Sequence, residues 1–458
     1  MTRKEQRHIY DAVGIGIGPF NLGMAALAEG TGLDCLFFEQ KSEFNWHEGM
    51  LIEGTTLQVP FLADLVSMAD PANPFSFLSY LHEQGRLYHF YFLEKFHIPR
   101  NEYNHYCQWA ARKLSSCRFG MEVEEVLPFG SEDGFLYKVY VRDEKTDQVR
   151  SVLARNLVMG IGTKPYLQPH AEWFSGKSVF HSSQYLKRKD EMLGASSITV
   201  VGSGQSAAEI FLDIARSIDD GACQLNWLTR SKGFFPMEYS KLGLEYFSPD
   251  YIDFFYALPQ EKRDALLAQQ DLLYKGISAE TIGEIYDLLY EKSAAGKETS
   301  FHLQPMVEVT GINQSDSTHV LHCRQWMTEE VFQKESDVVI MATGYKPAFP
   351  SFLSGLEDYI EFDDQGRFQI EREYRLKTHL HTKNEIFIQN GEMHTHGVGA
   401  PDLGLGAYRN AVILNAIAEK PLYPVEKKNI FQQFMGETTQ KAGPKDPTSR
   451  GGHTHVFS

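Results

Sequence analysis

The chain has 458 residues, of which 42% are hydrophobic and 23% are charged. This length predicts two or three domains with sizeable cores, and this composition excludes a wholly disordered or fibrous protein. The 44 Lys and Arg residues are outnumbered by 60 Asp and Glu residues, and the net charge of −16 argues against a protein that coats DNA or anionic membranes.

No uninterrupted apolar run approaches the roughly 18 to 20 residues of a membrane span, and the N-terminal residues lack the apolar stretch of a secretory signal. The five cysteines form no CxxC pair, which argues against a zinc ribbon and against a dithiol redox site. We therefore expect a protein of the reducing cytoplasm, with no membrane partner and no nucleic-acid partner.

A strand, a glycine turn and a helix are predicted over residues 9–30. Glycine lets the backbone of such a turn approach a pyrophosphate, whose charge then meets the amides at a helix N-terminus. The residues of this turn that we expect near a cofactor are Gly14, Gly16, Gly18, Pro19 and Asn21. The next strand ends at Glu39, whose carboxylate can accept hydrogen bonds from adenosine ribose hydroxyls. The alternative is an incidental glycine turn.

The middle and the end of the chain show coarser patterns. Residues 67–125 are predicted to be mostly helical, and residues 135–160 to form strands. Residues 258–296 are helix-rich, and residues 336–345 form a buried strand. From about residue 427, the Gly, Pro and Ser content indicates a poorly ordered tail.

A second strand, glycine turn and helix are predicted over residues 197–218. The residues of this turn that we expect near a second dinucleotide are Gly202, Ser203, Gly204, Gln205 and Ser206. The following strand ends at Arg230, with Lys232 close by, and cations at this position favour the 2′-phosphate of NADP over NAD. The alternative is that Arg230 is a solvated charge at a strand end.

Small residues follow two further apolar strands, at residues 159–165 and at residues 341–347. They allow the chain to cross close to a bound cofactor, which makes Thr343 a candidate contact. The alternative is that both are ordinary turns from a strand into a loop.

Four histidines have spacings that zinc sites sometimes use, namely His379, His381, His394 and His396. No cysteine or carboxylate completes a tetrahedral set, so we predict no metal site. His394 and His396 are expected instead to pack near a bound cofactor or the active site.

The ordered set of motifs resembles the flavin-dependent N-hydroxylating monooxygenases of siderophore biosynthesis, and among them the diamine N-monooxygenases most. The resemblance runs from about residue 9 to residue 418. Its matching strings are GIGPFNL at 16–22, NWHEGML at 45–51, LQVPFLADLVSMADPANPFSFLSYL at 57–81, EYNHYCQWAA at 102–111, GSGQSA at 202–207, DVVIMATGY at 337–345 and THG at 395–397. This ordered set is far more specific than any one motif.

The resemblance implies FAD and NADPH as cofactors. It places Trp46, His47 and Gln58 around the isoalloxazine, and Arg100 matches an active-site arginine of the family. The other residues assigned to cofactor binding are Gly14, Gly16, Gly18, Pro19, Asn21, Glu39, Gln40, Gly202, Ser203, Gly204, Gln205, Ser206, Arg230, Thr343 and His396.

The implied chemistry begins with reduction of FAD by NADPH, after which the flavin adds dioxygen to form a hydroperoxide. A neutral primary amine then attacks the distal oxygen and gives a hydroxylamine and water. Because the flavin carries this step, no protein catalytic residue is predicted. The protein supplies orientation and excludes solvent.

One position bears on the substrate. Lysine- and ornithine-hydroxylating relatives carry a lysine in the stretch aligned with residues 61–65, where it pairs with the substrate carboxylate, but here that position is Ala63. Leu273 replaces an asparagine that holds the amino-acid backbone in ornithine hydroxylases. Because a buried carboxylate without a charge partner is costly, we predict an aliphatic diamine such as cadaverine or putrescine. The alternative is that another cation, such as Lys241, replaces the missing lysine.

The distal ammonium of a diamine needs a partner, and Asp64, Asp402 and Glu245 are candidates. For each of them, the alternative is a structural or solvated carboxylate. The residues assigned to the substrate site are Gln58, Ala63, Leu273 and Asp402.

The overall prediction is an α/β protein with two Rossmann-like dinucleotide-binding domains, in which helical segments form the substrate site. The FAD domain is assigned to residues 1–194 and 339–426, the NADPH domain to residues 195–338, and the tail to residues 427–458. The resemblance also implies a homotetramer or another homo-oligomer. L-lysine N6-monooxygenase and L-ornithine N5-monooxygenase activities stay open as alternatives, as do carbon or sulfur oxygenation and a non-catalytic flavoprotein.

Overall fold

Two α/β units are present, and each is built around a strand, a glycine turn and a helix. A computed structural model describes residues 8–131, 134–168, 178–218, 221–315, 318–380 and 382–436. The α-helices are α1 Pro19–Ala28, α2 Phe77–Glu83, α3 Leu87–Leu93, α4 Arg100–Lys113, α5 Tyr185–Met192, α6 Gln205–Ser217, α7 Pro249–Tyr256, α8 Gln260–Leu267, α9 Ala279–Ser293, α10 Met393–His396 and α11 Gly406–Ile417. The strands are β1 Ile9–Ile15, β2 Cys35–Glu39, β3 Thr56–Pro60, β4 His97–Pro99, β5 Cys117–Phe119, β6 Met121–Ser131, β7 Gly134–Asp143, β8 Val149–Met159, β9 Lys164–Pro165, β10 Val179–His181, β11 Ser197–Val201, β12 Gln224–Leu228, β13 Phe301–Gln304, β14 Val307–Ser315, β15 Thr318–Gln325, β16 Glu330–Ser336, β17 Val338–Met341, β18 Tyr345–Lys346 and β19 Ile386–Ile388.

The first unit contains a sheet with the order β5-β2-β1-β8-β7-β6, in which β19 also pairs with β8. Strands β5, β2, β1, β8 and β19 run parallel, whereas β7 and β6 continue the sheet as antiparallel neighbours. Helix α1 is buried almost completely, because α4 and α11 pack against it on the sides that the sheet leaves open. The glycine turn before α1 is therefore held by rigid elements.

The second unit contains a parallel sheet with the order β10-β17-β11-β12-β13. Helix α6 follows β11 and buries one apolar face against this sheet, while α9 packs on α6. Strands β14, β15 and β16 form a small antiparallel sheet beside it. The α/β architecture predicted from the two glycine turns is confirmed.

Strand pairing divides the chain at places that differ from the domain boundaries predicted from the sequence. The second sheet includes β10, which lies before residue 195, and all of β17, which continues to Met341 past residue 338. β10 has only three residues and no turn signal of its own, so its position in the second sheet follows from pairing with β17. The assignment of one cofactor to each unit stays a prediction.

The first part of the predicted tail packs against the protein. Phe434 lies among the aromatic rings of Tyr246, Tyr251 and Phe254, and Asn429 hydrogen-bonds Asp250, so the prediction of a poorly ordered tail from residue 427 is wrong for residues 429–434. Residues 437–458 lie outside the described residues. Where the chain is described, none of its helices combines the length and the apolar character needed to cross a membrane.

Candidate active site

The first glycine turn joins β1 to α1 and is open on one side. Gly16 has φ +83°, and a Cβ atom there would lie 2.7 Å from the carbonyl oxygen of Gly160, so a side chain would block the close crossing of the two turns. Gly18 caps α1, and a Cβ atom there would meet nothing within 4 Å. Pro19 begins the helix, and the first amides after it have no carbonyl partner within the helix, as at any helix N-terminus.

Asn21 fixes the same turn from within. Its Nδ2 donates to the carbonyl oxygens of Gly16 at 2.8 Å and Val158 at 3.3 Å, and its Oδ1 accepts from Nε2 of Gln389 at 2.7 Å. The side chain is fully buried. Asn21 therefore holds the turn through its side chain. The prediction that Asn21 contacts the FAD phosphates now concerns only its main-chain amide.

Glu39 reaches the glycine turn from the end of β2. Its Oε2 accepts from the amide of Ile17 at 2.9 Å, and its Oε1 accepts from the amide of Lys41 at 3.0 Å. Gln40 is exposed beside it. Gly14 has a different role within β1, because a Cβ atom there would lie 2.1 Å from the ring of Phe37, so this glycine is required for packing of β1 on β2.

The second glycine turn is built in the same way between β11 and α6. Gly202 has φ +153°, and a Cβ atom there would lie 2.3 Å from the carbonyl oxygen of Ala342. Gly204 caps α6, and Ser203 and Ser206 are half-buried in the turn. The predicted pair of crossings, one at each glycine turn, is thus present in both units.

Two predicted residues of the second unit differ in how they are held. Nε2 of Gln205 donates to Oε1 of Glu209 at 2.8 Å, and its Oε1 accepts from the amide of Ser278 at 2.7 Å, so Gln205 joins α6 to the start of α9. Arg230 has an exposed side chain, while its carbonyl oxygen accepts from Nε1 of Trp326 at 2.8 Å. The guanidinium of Arg230 is therefore presented to solvent from a fixed main chain.

Two of the predicted flavin-contacting residues, Trp46 and His47, lie where the two units meet. The rings of Trp46 and His47 are 4.8 Å apart, and His47 lies 5.7 Å from Tyr345, which follows β17. Gln58 projects from β3, and its Nε2 is buried without a hydrogen-bond partner in the protein. Such an unpaired donor is costly unless a ligand or water completes it, so Gln58 is able to donate to a bound group.

The environment of His47 keeps its imidazole neutral. Surrounding protein atoms desolvate the ring, and the Arg100 and Lys41 cations add to this effect, so the pKa of His47 is lowered to about 4. Its backbone is left-handed, with φ +50°. Near neutral pH, His47 can therefore make hydrogen bonds without adding a charge to the site.

Arg100, the first residue of α4, joins the two units. Its Nη1 and Nη2 each lie 2.7 Å from a carboxylate oxygen of Glu209 on α6, and its Nε donates to the carbonyl oxygen of Thr56 at 3.2 Å. Only 14% of the Arg100 side chain and 4% of the Glu209 side chain are exposed. The predicted active-site arginine is therefore a buried cation with its charge partner in the other unit.

Ala63 and Asp402 both lie next to Gly404. Ala63 follows β3 and is buried, and the 3₁₀ helix Leu403–Leu405 packs against β3. A Cβ atom at Gly404 would lie 2.8 Å from Oδ1 of Asp402 and 3.7 Å from Cβ of Ala63. The carboxylate thus lies beside the position where a lysine was expected for amino-acid substrates.

Asp402 is held by the loop that carries it. Its Oδ1 accepts from the amide of Gly404 at 2.7 Å, and the amide of Leu405 also hydrogen-bonds the carboxylate. Burial raises the pKa of Asp402 to about 6, although the bond from Gly404 and the Arg409 cation oppose this shift. Tyr239 lies close enough for the Asp402 carboxylate to raise its pKa further, after burial as the larger cause.

Two further predicted residues belong to packed regions. Leu273 lies in an aromatic cluster with Tyr251 and Phe255. His396 stacks on Tyr374 with 4.5 Å between ring centroids, and both of its ring nitrogens have partners in the protein, Thr395 and the carbonyl oxygen of Arg372. His396 is thus engaged by the protein itself, and contact with a cofactor stays a prediction.

A comparison with protein families identifies the class. Residues 8–347 match the model of the L-lysine 6-monooxygenase/L-ornithine 5-monooxygenase family. The chain belongs to this family. It is 45% identical to a putrescine N-hydroxylase from Shewanella oneidensis over 429 residues, which cover 93% of this chain and 84% of the relative.

Two solved structures of family members match nearly the whole chain. A FAD-bound cadaverine monooxygenase of the desferrioxamine pathway from Erwinia amylovora has a TM-score of 0.90 and 42% identity, and the match covers 94% of this chain and 99% of the other. An ornithine N-hydroxylase from Kutzneria sp. 744, in a structure with reduced FAD, NADP⁺ and L-ornithine, has a TM-score of 0.84 and 29% identity, covering 90% and 99%. The resemblance stated from the motifs is therefore confirmed at the level of the family.

In this monooxygenase, the fold brings the predicted residues into three groups: the two glycine turns, the residues around His47, and the pair of Ala63 and Asp402. The motifs did not reveal Glu209, Tyr239 or Trp326. Glu209 carried a usable signal, because it lies one helical turn after Gln205 on the face that points back to the glycine turn. Tyr239 and Trp326 carried none, since both lie in loops without a motif.

Among the described residues, no group of three or more histidine, cysteine and carboxylate side chains is placed to hold a metal ion. His379 lies 3.5 Å from Glu361, and His394 hydrogen-bonds the carbonyl oxygen of Phe368 at 2.7 Å. His381 lies outside the described residues.

Proposed function

We propose that this protein hydroxylates one primary amine of an aliphatic diamine, putrescine or cadaverine, with FAD and NADPH as cofactors. The product would supply hydroxamate groups for a siderophore. The observation that carries the proposal is the position of Asp402 beside Ala63. The names of the putrescine and cadaverine relatives support the same substrate class.

The charge of the protein around Ala63 distinguishes diamine substrates from amino-acid substrates. In lysine- and ornithine-hydroxylating relatives, as the motif resemblance implies, a lysine at the position of Ala63 pairs with the substrate carboxylate. Here, a substrate carboxylate would meet Asp402, and two like charges in a partly desolvated space repel each other. An ammonium group at the same place would pair with the Asp402 carboxylate.

The other two candidate carboxylates are already occupied. Asp64 accepts from the amides of Val66, Ser67 and Phe77 and from the Ser67 hydroxyl. Both oxygens of Glu245 accept amides of the C-terminal segment. The structure therefore favours Asp402 as the partner of the distal ammonium.

The alternative cation, Lys241, is exposed to solvent. An exposed ammonium interacts weakly because water and salt screen it. Nothing in the contacts of Lys241 favours a role in holding an amino-acid carboxylate, so the diamine is the better supported substrate.

The first unit fits FAD. The space beside Gly18 at the N-terminus of α1 is open, Glu39 accepts from the amide of Ile17 in the turn, and Gln58 offers an unpaired buried donor. The second unit fits NADPH, because Arg230 offers a solvent-facing guanidinium after β12 for the 2′-phosphate. When bound, FAD reduced by NADPH supplies the activation of dioxygen.

The reaction consumes one diamine, one dioxygen, one NADPH and one proton, and it yields the N-hydroxydiamine, water and NADP⁺. The reacting nitrogen must be neutral, since an ammonium has no lone pair to offer. Asp402 holds the distal ammonium, Ala63 leaves room for the chain, and Gln58 and the neutral His47 face the cofactor. The protein's part in the chemistry is to bind, orient and shield the amine.

The test is a comparison of four amines with the purified, FAD-loaded protein: putrescine, cadaverine, lysine and ornithine. We expect hydroxylamine product with at least one diamine and little with either amino acid. The matched variant Asp402→Asn keeps the bond to Gly404 but loses the charge, and its KM for the diamine should rise at least about tenfold while its FAD content is unchanged. Product from lysine or ornithine alone would overturn the proposal.

The proposal also includes the oligomeric state and the cellular location of the protein. We expect a homo-oligomer, with a tetramer as the implied form, and three aromatic side chains of α3 that are more than 70% exposed, Tyr88, Tyr91 and Phe92, support an interface there. Light scattering of the wild type and of a Tyr91→Ser variant tests this.

We also expect a cytoplasmic location, because the five cysteines are buried and unpaired and the reaction uses NADPH.

A further inference from the structure

The C-terminal segment of residues 429–434, here termed the C-terminal strap, lies across the loop of residues 239–247 and helix α7. Phe434 inserts its ring among Tyr246, Tyr251 and Phe254, with centroid distances of 5.1, 5.0 and 5.7 Å. The same aromatic cluster contains Leu273. The strap therefore completes an apolar cluster that reaches a predicted substrate-site residue.

Polar contacts fix the strap to the same loop. Oε1 and Oε2 of Glu245 accept from the amides of Phe431 at 3.1 Å and Gln432 at 3.0 Å, and these bonds lower the pKa of Glu245. Nε2 of Gln432 donates to the carbonyl oxygen of Leu242 at 2.7 Å. At its start, Asn429 binds Asp250 through both its amide and its Nδ2, each at 3.0 Å. The strap thus contacts the second half of the 239–247 loop, which contains the 3₁₀ helix Gly243–Tyr246, and the start of α7.

The strapped loop forms one wall beside Asp402. Tyr239, at the start of the loop, is close enough for the Asp402 carboxylate to affect its phenol. At the other end, a Cβ atom on Gly399 would lie 3.9 Å from Cα of Phe247, so the loop also packs near the chain that leads to Asp402. The internal hydrogen bonds of the loop are local, from the amides of Leu244, Glu245 and Phe247, so contacts with other segments set the position of the loop on the protein.

We propose that the C-terminal strap holds the 239–247 loop against Asp402 and so sets the affinity for the amine substrate, with Phe434 and Glu245 as positioning residues. This inference rests on the proposed function for its substrate, and on the contacts above for its mechanism. Phe434 touches neither Ala63 nor Asp402 in the described contacts. It acts through the loop.

The chain offers a matched pair of phenylalanines for the test. Phe434 is packed in the aromatic cluster, whereas the side chain of Phe431 is 91% exposed and only its main-chain amide binds Glu245. We expect Phe434→Ala to raise KM for putrescine about fivefold, with kcat within about twofold of wild type, and Phe431→Ala to leave both unchanged. Gln432→Ala removes one hydrogen bond and should raise KM for putrescine by a smaller factor. This variant keeps the inference testable if Phe434→Ala does not fold.

Hydrogen exchange of the loop amides measures how firmly the strap holds the loop, and it does not depend on enzyme turnover. The amides of Leu244 and Phe247 bond within the loop, to Ser240 and Leu244. In Phe434→Ala they should exchange about tenfold faster than in wild type and in Phe431→Ala. Unchanged exchange, or equal KM values for the two phenylalanine variants, would overturn the inference. If the wild type instead prefers lysine, the diamine proposal fails, and the same KM comparison with lysine still tests the strap.

Discussion

Arg100 and Glu209 form a two-point ion pair between the two α/β units, with both N–O distances at 2.7 Å. Arg100 begins α4 beside the first sheet, and Glu209 lies on α6 in the second. Burial raises the pKa of Glu209, while the Arg100 cation opposes this shift. The position of the two nucleotide-binding turns relative to each other therefore depends on a desolvated charge pair.

Glu209→Gln should destabilise the protein strongly. It leaves the Arg100 cation buried without its counter-charge, which costs about 3 to 5 kcal/mol in free energy of unfolding. Urea denaturation measures this value. Glu284→Gln is the matched control, since it breaks the exposed pair with Arg216 and should cost at most about 1 kcal/mol. Equal losses in the two variants would show that burial of the Arg100 pair has no special weight.

Ala63→Lys should impair the diamine reaction. The new ammonium would lie beside Asp402 and occupy the carboxylate that we assign to the substrate, so KM for putrescine should rise at least about tenfold. Ala63→Met adds comparable bulk without charge and separates steric from electrostatic effects. If both variants raise KM equally, the effect is steric, and the charge argument for diamine selection is wrong.

Asp402 should give the reaction a second dependence on pH. Its carboxylate, with a pKa raised to about 6, must be ionised to hold an ammonium, so binding weakens as pH falls through 6. The reacting amine, with a pKa of about 10, must also lose a proton, which gives log kcat/KM a slope of about one with pH in the neutral range. Below pH 6 the slope in wild type should steepen toward about two.

The same profile in Asp402→Asn should keep a slope of about one throughout. The pKa of Asp402 is raised to about 6, so the free energy of unfolding of the wild type should fall as this carboxyl ionises with rising pH. The asparagine variant has no carboxyl at this position, so its free energy of unfolding should not show this decrease. Steepening in the variant as well would assign the second ionisation to another group.

Trp326→Phe should change the preference between NADPH and NADH. Phenylalanine cannot donate to the carbonyl oxygen of Arg230, so the main chain that presents the guanidinium loses a hydrogen bond. KM for NADPH should rise about threefold, as expected for one hydrogen bond, with KM for NADH unchanged. Arg230→Gln should raise KM for NADPH further in the same assay. Equal increases for both nucleotides would argue that Trp326 does not act through the 2′-phosphate.

The two nucleotide-binding motifs could be recognised in the sequence because each is local. A β-branched strand, a glycine turn and an apolar helix lie next to each other in the chain, and the steric need for glycine at Gly16 and Gly202 follows from the turn. The replacement of lysine by Ala63 could also be read directly, since it is a single position within a long motif. These features gave the fold class, the family and the kind of substrate.

Contacts between distant segments could not be read in this way. Asp64, Glu245 and Asp402 are equivalent as carboxylates in the sequence, and only their surroundings distinguish them. Asp64 accepts hydrogen bonds from nearby main-chain amides, Glu245 accepts them from the C-terminal strap, and Asp402 lies beside Ala63. Likewise, the charge partner of Arg100 and the packing of Phe434 depend on which surfaces meet when the units fold together. Local patterns specify strands, turns and helices, whereas burial and pairing across the chain determine which of their side chains remain free for a substrate.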